Sequence, residues 1–357
     1  SVPPGTRAER LPVEALLSRL RDDRPDVVAT AITIRSEADA PVAFAVPQRV
    51  FYADAYTGAV LGEGSQTVRR LMSQLRAWHR WIAIEGEGRP LARAITGWSN
   101  VLFLFIIASG AYLWLPRKWT WSQVKAVVVF NPSARGKARD FNWHNVIGIW
   151  LAIPLFVVVI SAVPISFPWG NTLVYRAVGE APPAPAGRAA GPGGLREQRV
   201  VPVAGLNTLW TRAERHAGAP AARFGRGGVE VPGWRTISMR IPSSADASVV
   251  FTIDRGDGGQ PHLRSTLTLD RDTADVVTYE TFADLTVGRR IRNVMRFAHT
   301  GEVLGIPGQS AAGLVTFGGA VLACTGILLA ARRFRAWIRR RRAPVDLPTV
   351  SVSNPAA

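Results

Sequence analysis

The chain has 357 residues, of which 47% are hydrophobic, and a formal net charge of +17. That length allows two or three folding units, and the excess positive charge taken alone suggests a polyanion such as nucleic acid. Its placement excludes that reading: Lys118, Lys125 and Lys137 share one short segment between apolar runs, and an arginine run (Arg332, Arg333, Arg335, Arg339 to Arg342) follows the last apolar run, the positive-inside pattern of membrane proteins. The single cysteine, Cys324, lies in an apolar run as a small packing residue, which excludes an intramolecular disulfide, a cysteine-based zinc site and an iron–sulfur cluster held within one chain.

In chain order, residues 1–66 read as a first extracytoplasmic α+β unit. LPVEALLSRLRD has the helical period, and VVATAITIRS, PVAFAVPQ and RVFYADAYTGAV alternate as strands, with a turn at Thr57–Gly58. Export of such a unit needs a signal or an anchoring helix, and SVPPGTRAERLPV has neither, so a further segment is expected upstream. Residues 67–94 form an interfacial approach helix, and 95–115 the first span. The basic loop at 116–142 faces the cytoplasm, and 143–167 is the second span. A Pro/Gly-rich linker follows at 168–202, its core being APPAPAGRAAGPGGLREQR. Residues 203–287 repeat the first unit's order, a helix (VAGLNTLWTRAERHAG) and then strands (RTISMRIP, ASVVFTID, LRSTLTLDRDTADVVTYE), with an Asp before the last strand pair in both copies. A second approach helix at 288–310, a third span at 311–331 and a cytoplasmic tail at 332–357 complete the chain. None of the three apolar runs contains Lys, Arg, Asp or Glu, and each meets the ~18–20 residues that a spanning helix needs.

The histidines carry the chemistry. His216 and His262 fall in the second unit and read as solvated surface. His79 and His299 stand at the ends of the two approach helices with matched flanks. Each has an arginine three residues before it (Arg76, Arg296) and an aromatic close by (Trp78, Phe297), followed by a Glu/Gly pair and a Gly and Pro before the span. Both are expected at one depth, near the outer face, where they can face each other. His144 opens the second span, roughly 30 Å away along the membrane normal at 1.5 Å per residue, and cannot join them. Two facing imidazoles suit the axial positions of a haem iron, with Arg76, Arg80 and Arg296 placed to meet propionates. A zinc or copper ion would want more ligands, and a proton relay would need an acidic residue within a span. For these arginines and Arg89, lipid-headgroup snorkelling is the competing role, with anionic-chelate contact a further one.

LRAWHRWI with GEGRP, SGAYLWLPRKW, FNWHNVIGIWLAIPL, STLTLDRDTADVV and FAHTGEVLGIPGQ together make the chain resemble the PepSY-associated transmembrane family, which includes ferric-siderophore reductases. The resemblance covers nearly the whole chain, FAHTGEVLGIPGQ being its most specific part. It implies an α-helical transmembrane bundle with two extracytoplasmic PepSY-like domains, and a fourth core span N-terminal to this sequence. It also implies b-type haem ligation by His79 and His299, and a second, inner haem on His144 with a partner from that fourth span. The expected function is a cytoplasmic-membrane reductase passing electrons to a periplasmic ferric siderophore or similar chelate, fed by a separate donor, a quinol or a cytoplasmic flavoprotein. The rivals are a non-enzymatic envelope protein that binds a protease or senses a ligand, and an accessory of siderophore or metal transport.

Overall fold

The computed structural model describes residues 9–47, 49–114, 120–183, 205–218, 233–243 and 246–342. Part of the SGAYLWLPRKW motif, most of the Pro/Gly-rich stretch and the end of the basic tail lie outside the described residues. The chain divides into two compact units, residues 1–102 with 158–310 and residues 103–157 with 311–357.

The first unit is built on α1 (Val13–Asp23), β1 (Ala31–Arg35), β2 (Val42–Val46), β3 (Arg49–Ala53) and β4 (Val60–Glu63). In α1 the buried residues are Val13, Leu16, Leu17 and Leu20, at the i, i+3, i+4, i+7 spacing that puts one stripe against a sheet. Next come α2 (Gln66–Trp81), α3 (Arg89–Trp114), α4 (Trp121–Val128), α5 (Gly136–Ser166) and α6 (Pro168–Ala177). After them lie α7 (Leu206–Ala217), β5 (Thr236–Arg240), β6 (Ser248–Asp254), β7 (Arg264–Asp270), β8 (Val276–Glu280), α8 (Val287–His299) and α9 (Gly305–Arg342).

The two α+β stretches do not form separate domains. Their strands make one eight-stranded sheet, ordered β4-β3-β2-β1-β5-β6-β7-β8 and antiparallel throughout, joined where Ile32 faces Met239 and Ile34 faces Ile237. The physical reason is a shared core. The alternate inward residues of both halves (Ile32, Phe44 and Phe51 with Ile237, Phe251 and Leu267) bury one face under α1 and α7. Each such side chain gains about 1.5–3 kcal/mol on leaving water. The helices also cap one another: Glu14 N–H donates to Asn207 Oδ1 at 3.0 Å and Asn207 N–H donates to Glu14 Oε1 at 3.0 Å. Neither helix has a side-chain cap of its own, so this reciprocal pair satisfies first-turn donors that would otherwise go unpaired.

The duplication extends to the turns. Asp54 Oδ1 accepts from the amides of Tyr56 and Thr57, and Asp270 Oδ1 accepts from those of Asp272 and Thr273, all at 2.9 Å. The left-handed position in each turn is filled by Gly58 and Ala274 respectively.

Three helices are long and apolar enough to cross a membrane, over Gly86–Trp114, Gly136–Ser166 and Glu302–Arg341. All start before the apolar runs seen in the sequence. The stretch expected to be linker from residue 168 opens instead with helix α6, whose first residue, Pro168, supplies a helical φ and needs no donor. The loop at 116–142 contains α4 and the first turns of α5. Within the second unit, α9 packs closely on α5 through glycine: a Cβ on Gly318 would fall 2.1 Å from Leu151, and one on Gly148 of α5 would fall 2.0 Å from the ring of Trp114. Small residues at such contacts let membrane helices approach one another.

In the first unit, α2 buries no residue. Val68, Leu71, Met72, Leu75 and Trp78 form an exposed apolar stripe along it. This is the form of a helix lying in a membrane interface.

Candidate functional site

His79 lies in the last turn of α2, and His299 is the last residue of α8. The fold brings them together, with ring centroids 5.9 Å apart and planes tilted by 37°. His299 is held from behind. Its Nδ1 lies 2.9 Å from the carbonyl oxygen of Val158 on α5, and the Ser161 hydroxyl, 3.5 Å away, already donates to that same carbonyl at 2.8 Å. A carbonyl only accepts, so Nδ1 carries the proton and Nε2 presents its lone pair.

The helix that delivers His299 is fixed by α6, an element that the sequence reading did not foresee. Glu180 accepts the N–H of Gly288 at 3.1 Å in the first turn of α8, and Arg292 donates to Asn171 at 2.8 Å. A carboxylate at a helix N-terminus offsets the exposed N–H groups there. Thr286, Gly288 and Val287 all bond to it, which holds its pKa below the ordinary range.

His79 is exposed in part, yet its pKa is lowered by the burial it has and then by the nearby charges of His299 and Arg80. The neutral, metal-binding form is therefore favoured. Arg76, Arg80 and Arg296 are exposed and cluster in the same region. Arg80 has its pKa lowered by burial and then by Arg93, Arg89, Arg76 and Arg296. Arg296 sits 5.6 Å from the ring centroid of Phe297, with Arg264 at 5.7 Å from the same ring.

His144 belongs to the second unit. Its Nδ1 is 2.8 Å from Thr325 Oγ on α9. The Thr325 hydroxyl also lies 2.8 Å from the carbonyl of Val321 and 3.1 Å from that of Leu322, so it ties the imidazole to the backbone of α9. The ring facing His144 is the indole of Trp114, edge-on at 5.4 Å, and not a second histidine. Gly326 leaves room beside it, since a Cβ there would sit 3.3 Å from His144 Cε1. Of the other two histidines, His262 is exposed as expected. His216 is half-buried edge-on against Tyr279 at 4.3 Å rather than solvated.

The PepSY-associated TM region matches residues 2–333 of this chain. The chain belongs to that family. It is therefore a membrane protein by family as well as by its three candidate spans. None of the curated proteins matches it.

Chemically, the His79–His299 pair of this PepSY-associated protein suits one particular kind of metal centre. An imidazole nitrogen binds a transition metal at about 2 Å and lies about 1 Å from its ring centre, so two imidazoles on opposite sides of one ion have centroids roughly 6 Å apart. The observed spacing meets that requirement. Among the described residues no third His, Cys, Asp or Glu joins them. A bare zinc or copper ion would be left short of protein ligands. A metal that carries donors of its own would need only two protein ligands.

Proposed function

We propose that this protein is a haem-containing membrane reductase, in which His79 and His299 would hold one b-type haem. The observation that carries the reading is the facing pair itself, 5.9 Å between centroids, with Nε2 of His299 free and no further protein ligand among the described residues. Arg76, Arg80 and Arg296 supply the charge that two propionates need. A bound haem supplies one-electron transfer. The protein's own part is to hold His299 in one tautomer through Val158, to keep His79 neutral, and to set the two rings where both would bind the iron.

In this reading the basic segments at 116–142 and 332–357 face the cytoplasm, and the eight-stranded sheet unit faces the periplasm. His144, oriented by Thr325, would hold a second haem. Electrons pass outward from a quinol or a cytoplasmic flavoprotein to a periplasmic ferric chelate of the siderophore type. Such chelates are hard-oxygen ligands that hold iron(II) far less tightly than iron(III), so reduction releases the metal.

Absorbance of the purified protein, expressed with adequate haem supply, tests the proposal. A Soret band that sharpens with low-spin α and β bands on dithionite reduction is expected, together with reoxidation by a ferric hydroxamate or catecholate chelate. A colourless protein would sink the reading in favour of an envelope protein whose spans serve only as anchors.

A further inference from the structure

A second feature of the first unit adjoins the histidine pair, sharing Arg80 with it, and is otherwise built on Trp81, Arg89 and Arg93. At the turn joining α2 to α3, a recess of about 540 Å³ is lined by Arg80, Trp81, Arg89, Arg93, Phe167 and Pro168. We propose that this recess is an oxyanion site, taking a phosphate or carboxylate group supplied either by a lipid headgroup or by a water-borne anion.

Three observations on geometry and charge carry the inference. The first is uncompensated charge. The ion pairs among the described residues join Arg49 to Glu63, Arg139 and Arg332 to Asp140, Arg235 to Asp257, Arg264 to Asp254 and Arg289 to Glu280. None involves Arg80, Arg89 or Arg93. Three like charges gathered in one concavity repel one another. A bound anion relieves that repulsion.

The second is orientation. The guanidinium carbon of Arg89 lies 4.0 Å from the ring centroid of Trp81, and that of Arg80 lies 5.1 Å from it. Stacking of this kind uses the face of a guanidinium and leaves its in-plane N–H fork free for the two oxygens of a carboxylate or phosphate. Arg93 spends one N–H on the carbonyl of Ile165 at 3.1 Å, which anchors its side chain and leaves other donors available. A snorkelling arginine needs neither a stacking platform nor an anchoring carbonyl.

The third is the backbone. Ile82 and Ala83 both adopt left-handed conformations, with φ of 53° and 54°, and the N–H of Ala83 bonds back to Ala77 at 3.1 Å. A β-branched residue rarely takes such a φ. The strained pair turns the chain sharply enough for Trp81 at the end of α2 and Arg89 at the start of α3 to share one wall, and strain of this sort concentrates where a ligand is clamped. Pro168, the first residue of α6, also lines the recess, and a helix N-terminus favours an anion.

The inference does not depend on the haem reading, and its test keeps the two apart. Isothermal titration of the full-length protein in neutral detergent, with pyrophosphate and with citrate, is compared with the same titration of an R89Q/R93Q double variant. In parallel, both proteins are reconstituted in nanodiscs of phosphatidylcholine with and without phosphatidylglycerol, and retained lipid is read by native mass spectrometry. Binding of either soluble anion that weakens at least tenfold in the variant supports the site and identifies a water-borne ligand. Phosphatidylglycerol retained by the wild type and lost from the variant supports the site and identifies a lipid headgroup. Equal binding by the two proteins in both arms, or none in either, overturns it. Loss of haem absorbance from the double variant also overturns it, because the arginines would then serve the haem. Should the glutamine variant fail to fold, R89K/R93K keeps the charge and removes the fork. Weakened binding then supports the site, and unchanged binding overturns it.

Discussion

His299 and His144 each set Nδ1 against an oxygen of another helix, the Val158 carbonyl at 2.9 Å and the Thr325 hydroxyl at 2.8 Å, yet the ring facing the first is His79 and the ring facing the second is Trp114. The shared part fixes a direction, which a metal-ligating histidine requires from its surroundings. The unshared part separates a place where two imidazoles meet from one where, among the described residues, an imidazole meets an indole. Orienting an imidazole and pairing it with another are thus separate tasks.

The largest effect that can break the comparison comes from the imidazoles. His79→Ala and His299→Ala are each expected to abolish the same low-spin, six-coordinate absorbance component, while His144→Ala leaves it intact. Reduced-minus-oxidised spectra of the three variants check this. Loss in only one of the first two would show that the rings do not share a metal.

The second effect concerns orientation alone. Thr325→Val keeps the shape and deletes the hydrogen-bond partner of His144 Nδ1. A loss of about 10–100-fold in affinity for whatever metal group His144 holds is expected, with the His79–His299 component unchanged, since outer partners of metal-bound histidine are typically worth that much. Titration of haem into the haem-depleted variant reads it. Ser161→Ala, whose hydroxyl is 3.5 Å from His299 and already donates to Val158, is expected to change affinity by less than about twofold.

A third substitution sharpens the contrast through packing. Gly148→Ala would place a Cβ 2.0 Å from Trp114, the ring that faces His144. Overpacking of this degree costs about 1–3 kcal/mol. Thermal unfolding should fall accordingly, with the His144 site disturbed and the His79–His299 spectrum retained.

The smallest effect is a control on the sheet. Asp270 has its pKa lowered by the amides of Thr273 and Asp272, and Asp246 and Asp284 are lowered by Ser243 and Thr281. A carboxylate with a depressed folded pKa contributes stability that is present above its unfolded value, about 3.9, and is lost as pH falls through the lower folded value. Hydrogen-exchange protection in β7 and β8, taken relative to the intrinsic rate at each pH, should therefore fall below about pH 4, and Asp270→Asn should flatten that dependence.

Much of this site was legible before the fold was known. The matched flanks of His79 and His299 announced equivalent places on equivalent helices, and the paired Asp turns announced the duplication, because both signals are local. Other features were not. The joining of β1 to β5 pairs Ile34 with Ile237 across some two hundred residues, and no local pattern specifies it. The Val158 carbonyl behind His299 is backbone and leaves no trace in residue type. Thr325 left a faint one, a hydroxyl within an otherwise apolar run, but in a membrane helix such a residue more often bonds its own preceding turn, which Thr325 also does. Helix α6 was hidden by the proline-rich stretch after it, although Pro168 followed by WGNTLVYRA carries the signature of a helix start.

The measurement that bears most directly on the central claim is pulsed electron paramagnetic resonance of the oxidised protein labelled with ¹⁵N-histidine. Two axial imidazole couplings on one low-spin iron are expected for the wild type, reduced to one in His79→Ala and in His299→Ala. A low-spin signal that keeps both couplings in either variant, or iron without any histidine coupling, would contradict the pairing of His79 with His299.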